Sequence, residues 1–187
     1  MRALFGMVMA GALAGARTGA AAAQEVGARA ATLRIGGLMY DRGGDATNPM
    51  FGAGVDWTLS RHVLAEVEGT WSAANETVLD FSTNEPEPPE VETKRHLATL
   101  TAGLQAQALL GRVRPYAGMA AGLFVLYDAH DAGDRFPRYT VAFPVGVRVD
   151  LTQRLGLRGE LRGRFDTHQD GGSGTNVEQT LGLSLRF

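Results

Sequence analysis

The chain has 187 residues, room for one domain once an export leader is removed. Its formal net charge is -2 and its arginines are scattered, which excludes the basic face that a nucleic-acid binder needs. Cysteine is absent, so a disulfide framework and thiolate chemistry are both excluded.

At the N-terminus, Met1-Arg2 gives a short positive start, and Ala3 to Ala16 is an apolar run. Ala21-Ala22-Ala23 then offers a small-residue cleavage site before Gln24. Residues 1–23 read as a secretory signal peptide and 24–30 as a short leader. The run is too short to span a bilayer as a helix, and nothing downstream approaches the roughly 18 consecutive apolar residues that a membrane helix needs.

From Ala31 to Phe187 the recurring pattern has period two, so alternate side chains fall on opposite faces of a strand. Eight candidate strands follow in order. The first, Ala31 to Asp41, is the least regular. In the second, Phe51, Ala53, Val55, Trp57 and Leu59 oppose Gly52, Gly54, Asp56 and Thr58. The third sets Val63, Ala65, Val67 and Trp71 against His62, Leu64, Glu66, Glu68 and Thr70. The fourth sets Ala98, Leu100, Ala102 and Leu104 against Thr99, Thr101, Gly103 and Gln105, and in the fifth Ala117 to Tyr127 alternate with Tyr116, Gly118, Ala120 and Gly122. In the sixth, Tyr139 to Val149 alternate with Arg138 to Asp150. Pro144 interrupts the polar face and removes a ladder donor, so a bulge or local widening is expected there. The seventh is the most telling: Leu155, Leu157, Leu161 and Phe165 share one face, while Arg158, Glu160, Arg162, Arg164 and Asp166 share the other. The eighth places Val177, Leu181, Leu183, Leu185 and Phe187 on one face.

The connections alternate in length. Ser60-Arg61, Leu110 to Val113 and Thr152 to Arg154 are tight. Arg42 to Asn48, Ala74 to Lys94, Asp128 to Phe136 and Thr167 to Thr175 are longer and polar. Tight turns on one rim and long loops on the other are the signature of an up-and-down barrel inserted from one side.

A lipocalin-like soluble carrier alternates in the same way with the opposite sense, its apolar face turned inward. Two features favour lipid outside. Glycine and alanine fill much of the polar face, as a narrow lumen holding long charged side chains requires. The chain also closes an alternating strand on an aromatic residue, Phe187. With the leader, these features resemble the small eight-stranded outer-membrane β-barrel families that include OmpX and the transmembrane domain of OmpA, across Ala31 to Phe187. The resemblance implies an all-β, antiparallel transmembrane barrel in the outer membrane of a Gram-negative bacterium, with its long loops extracellular. It implies outer-membrane lipid and lipopolysaccharide as surroundings and Phe187 as part of the signal read by the barrel assembly machinery.

Lumen charges are expected to form a network centred on Arg158, Glu160, Arg162, Glu66 and Glu68, in a monomer with a structural or surface-interaction role and no cofactor. Catalytic readings are thin. No serine sits in a G-x-S-x-G elbow, and no His-x-Ser pair of the lipid A deacylase kind occurs. His96, His130 and His168 lie near the long-loop rim without metal-ligand spacing. Asp128, Asp131 and Asp134 lack the closing glutamate of a calcium loop, and Gly171 to Gly174 reads as a flexible tip rather than a phosphate cradle. A rim or lipid-facing enzyme acting on lipopolysaccharide or phospholipid, through His130 or Ser173, is the alternative. The Ala74 to Lys94 segment, with Glu85, Glu87, Glu90 and Glu92 around Pro86, Pro88 and Pro89, is expected to be an extended, solvated tether, with a partner-binding arm as the alternative.

Overall fold

The computed structural model describes residues 26–39, 47–79, 90–128, 137–167 and 173–187, so the expected signal peptide lies outside the described residues. Eight antiparallel strands close into a barrel in sequential order. They are β1 (Arg29–Met39), β2 (Thr47–Ser60), β3 (Val63–Leu79), β4 (Glu90–Gln107), β5 (Val113–Asp128), β6 (Arg138–Asp150), β7 (Leu155–Thr167) and β8 (Ser173–Arg186). β8 pairs back onto β1 from Ala30↔Arg186 to Met39↔Val177. Closure answers the backbone problem set by the sequence: strands with an apolar face in lipid have no water to satisfy an open edge, and a barrel has none.

Each strand obeys the pleat. In β7 the burial alternates residue by residue from Leu155 to Thr167, with Arg158, Glu160, Arg162, Arg164 and Asp166 buried and Leu155, Leu157, Leu161 and Phe165 exposed. Leu33, 69% exposed, and Thr32, 2% exposed, show the same inversion on β1. This is the opposite of a soluble barrel, and it overturns the carrier alternative.

The tight turns have local causes. Between β4 and β5, Gly111 takes a φ of 66° while Arg112 keeps a negative one, and Leu110 and Val113 exchange backbone hydrogen bonds. That is a type II′ hairpin turn, whose first central position favours glycine. Between β6 and β7, Thr152 Oγ1 accepts from the backbone N–H groups of Arg154 and Leu155 at 3.2 and 2.9 Å.

Three details depart from the sequence reading. β1 begins at Arg29, inside the stretch read as leader. The β5–β6 ladder is paired at Ala117↔Val145 and again at Ala120↔Ala142, with nothing between, while β6–β7 runs unbroken through Pro144↔Arg162. The register is the same on both sides of the gap, so Pro144 widens the wall without inserting a residue. The third departure is a correction: Ala74 to Lys94 is not a simple tether, because β3 and β4 stay paired from Ala74↔Arg95 to Leu79↔Glu90. That ladder outruns both neighbours, since β2–β3 pairing stops at Met50↔Ser72 and β4–β5 pairing at Arg95↔Asp128.

Candidate functional site

The lumen is the chemically dense part of the molecule. It is built by strand parity alone: every second residue of the strands points into a space narrow enough for side chains from opposite walls to meet. At its centre, Arg162 grips Glu68 with two parallel contacts, Nη1 to Oε1 and Nη2 to Oε2, each 3.0 Å. The same Nη2 lies 2.9 Å from Glu160 Oε1 and 3.1 Å from Glu66 Oε1. Arg158 pairs with Glu66 and, through Nη2, with Glu160 Oε2 at 2.5 Å. All five side chains named from the sequence therefore meet in one cluster, each at most 5% exposed.

Two residues complete the cluster. Arg34, from β1, reaches Glu160 at 2.8 Å and Glu66 at 3.0 Å and also contacts Glu68. Tyr116, from β5, is a hub that the sequence reading passed over. Its hydroxyl donates to Glu160 Oε2 at 2.6 Å and accepts from Arg158 Nε at 2.6 Å. Two guanidinium groups lie close to its ring, with Arg148 Cζ 4.6 Å and Arg158 Cζ 4.8 Å from the centroid. Cation–π attraction of this kind is strongest when desolvated, as here. The signal for Tyr116 was its parity with Gly118, Ala120 and Gly122. A large ring on a face of small residues marks where the lumen narrows. Gly146 provides its seat, since a Cβ there would fall 2.5 Å from the Tyr116 hydroxyl.

Pairing continues toward both rims. At the tight-turn end, Arg148 bonds Gln105 at 2.7 Å and Asp56 at 3.3 Å, Gln105 passes the link to Glu66 at 2.9 Å, and Asp150 takes Arg114 and Arg186. A cavity of about 20 Å³, room for one water, lies here among Asp56, Arg148, Asp150 and Arg186. Toward the long-loop end, Arg164 holds Glu178 at 2.5 Å and Asp166 at 3.2 Å, and Asn176 donates to Asp166. Among the described residues the ion pairs thus join Arg34, Arg114, Arg148, Arg158, Arg162, Arg164 and Arg186 to an equal number of carboxylates. Above the network, Leu38, Met50, Leu97, Phe124 and Leu126 form a buried apolar cluster inside the long-loop mouth. It went unread in the sequence because these residues fall on the polar parity of their strands.

On the outer face, four rings form a row across β2 to β5 near the long-loop end. Phe51 and Trp71 stack at 6.2 Å, Trp71 and His96 at 5.4 Å, and His96 meets Tyr127 at 5.3 Å. Trp71 Nε1 donates to the Tyr127 hydroxyl at 3.2 Å. His96 is therefore a member of the ring row. His130 and His168, Asp131 and Asp134, and Gly171 and Gly172 lie outside the described residues, and no cluster of three or more potential metal ligands occurs within them.

A family model described as "Outer membrane protein beta-barrel domain" matches residues 5–187. The chain belongs to that family. This outer-membrane barrel thus resides in the outer membrane, in contact with its lipid and lipopolysaccharide. No curated protein sequence matches it significantly. Among solved structures it is similar to Neisserial surface protein A, at 13% identity over 87% of this chain and 98% of that one, with a TM-score of 0.65. It is also similar to the outer membrane protein OprG of Pseudomonas aeruginosa, at 10% identity over 88% and 98% of the two chains and a TM-score of 0.59. A de novo designed transmembrane β-barrel matches at 13% identity over 88% and 98%, with a TM-score of 0.50. At such identities the likeness is one of fold. The designed barrel makes the physical point, since the same architecture arises there without any inherited function.

Proposed function

We propose that this outer-membrane barrel is a closed, non-catalytic wall element whose role is structural or surface contact, with its lumen sealed by the charged network. One observation carries the reading: the lumen is filled from rim to rim, by paired charges through most of its length and by an apolar cluster at the long-loop mouth. Eight strands enclose an interior that side chains can just fill, and here they do. In planar lipid bilayers the refolded protein is expected to give no conductance above the leak of the bare membrane. Discrete, reproducible current steps would overturn the reading.

The long-loop rim faces the cell exterior, the protein is a monomer, and β8, with Phe187 directly after it, is the strand that engages the assembly machinery. Support for the last comes from the outward placement of Phe187, 71% exposed, with its N–H bonded to Arg29 O at 3.0 Å. Orientation is testable because Lys94 is the chain's one lysine. A membrane-impermeant amine reagent added to intact cells is expected to label the wild type and to leave Lys94→Arg blank. Equal labelling of both would place that rim inside.

A further inference from the structure

We propose that the cavity at the tight-turn mouth of the lumen, among Asp56, Arg148, Asp150 and Arg186, binds one small monovalent anion of halide size, taken from the water on that side of the membrane. The inference goes beyond the closed-wall reading by giving the sealed lumen a ligand, and it is independent of which rim faces out.

Local charge favours an anion. Three guanidinium groups meet at this mouth, on Arg114, Arg148 and Arg186, against two carboxylates, on Asp56 and Asp150. The next layer of the lumen is balanced, with Arg34, Arg158 and Arg162 facing Glu66, Glu68 and Glu160, so the surplus positive charge stays at the mouth. Arg148 supplies the donors. It is 7% exposed, and its Nε and Nη1 are buried without a hydrogen-bond acceptor, while Nη2 serves Gln105 and Asp56. The Tyr116 ring, 4.6 Å from Arg148 Cζ, steadies the guanidinium with a π face and no oxygen. Buried charged donors left in this way carry a desolvation cost that an anion in the adjoining cavity offsets. Ser184 lines the same cavity, and when Thr32 Oγ1 donates to its Oγ at 2.9 Å, the Ser184 proton is available to the ion.

Size and walls set the class of ligand. At about 20 Å³ the cavity takes one water-sized guest, which excludes phosphate and sulfate. Leu64 and Leu157 give it an apolar side, where an ion that sheds its hydration shell easily enters at least cost. A cation is disfavoured, because Asp56 already faces Arg148 and Asp150 faces both Arg114 and Arg186. Entry is from the rim: Asp150 and Arg186 end β6 and β8, and their side chains keep 11% and 15% exposure.

The test compares urea midpoints of the refolded protein in lipid vesicles in sodium chloride and in sodium gluconate at equal ionic strength. Chloride is expected to raise the midpoint and to saturate, with the folded-to-unfolded ratio up about tenfold once chloride stands about ninefold above its dissociation constant. An Arg148→Met variant that keeps heat-modifiable gel mobility is expected to lose that dependence. Crystals of the wild type soaked in sodium bromide supply a second measurement that needs no variant, and an anomalous peak is expected between Arg148 and Arg186. Equal midpoints in the two salts, a chloride effect that survives Arg148→Met, or ordered water without bromide in the cavity would each refute the site. A bromide peak without any chloride effect on the midpoint would mean binding at crystal concentration only, and would refute it too.

Discussion

Arg162 illustrates what a buried charge means in this fold. Its guanidinium faces Glu68, Glu66 and Glu160 within 3.1 Å, in a lumen where its side chain is only 2% exposed. Truncation to alanine leaves those three carboxylates with fewer counter-charges and no bulk water to replace them. Removing one partner of a buried pair costs about 3–5 kcal/mol, because the stranded charge stays desolvated. Arg162→Ala is therefore expected to lower the urea midpoint of the folded barrel in lipid vesicles and to reduce its heat resistance on gels. An unchanged midpoint would mean that neighbouring arginines already satisfy the carboxylates. Arg34 and Arg158 are the ones placed to do so, since both reach Glu66 and Glu160.

At the level of the element, the weak seam is β5–β6. Pro144 lacks an N–H, and the ladder opens around it while β6 stays fully paired to β7 on its other side. A lost backbone hydrogen bond has a higher cost where lipid covers one face of the wall, since no water is available from that side. Pro144→Val supplies the donor, keeps an apolar side chain of similar size and is expected to stabilise the barrel by about 1 kcal/mol. Amide exchange of β5 around Met119 should slow in step. Faster exchange there would show that the opening is set by the packing of Gly118 and Met119 and not by the proline. The β3–β4 hairpin shows the converse: its composition, rich in glutamate and proline toward the tip, read as a tether, yet eleven of the residues so read pair as a continued ladder. Acidic and polar residues are poor strand formers on average, but a hairpin already registered by the barrel below extends at little further entropic cost.

At the scale of the whole molecule, polarity is inside out: the charges are in the middle and the leucines face outward. The two tryptophans mark the rims, Trp57 near the tight turns and Trp71 near the long loops. Strands of about 10 residues tilted by roughly 40° cross an apolar band about 25 Å tall, which places both indoles away from its centre. Lipids brominated near the headgroup are therefore expected to quench the wild-type emission more strongly than lipids brominated near the chain ends. The reverse order would place the rings at mid-bilayer and contradict the assigned depth. Sequence alone determined the strand count, the alternation of tight and long connections and the two faces of each strand, because a pleat imposes period two and lipid tolerates no exception along its face. It also brought forward Arg158, Glu160, Arg162, Glu66 and Glu68, since opposite charges on inward parities have nowhere to go but toward each other. Only the closed barrel decided which charges touch, that two guanidinium groups gather at the Tyr116 ring, that five apolar residues cap the mouth and that four rings on four strands become one row. Those facts depend on strand stagger and on which walls face one another across the lumen, and a period of two carries no information about either.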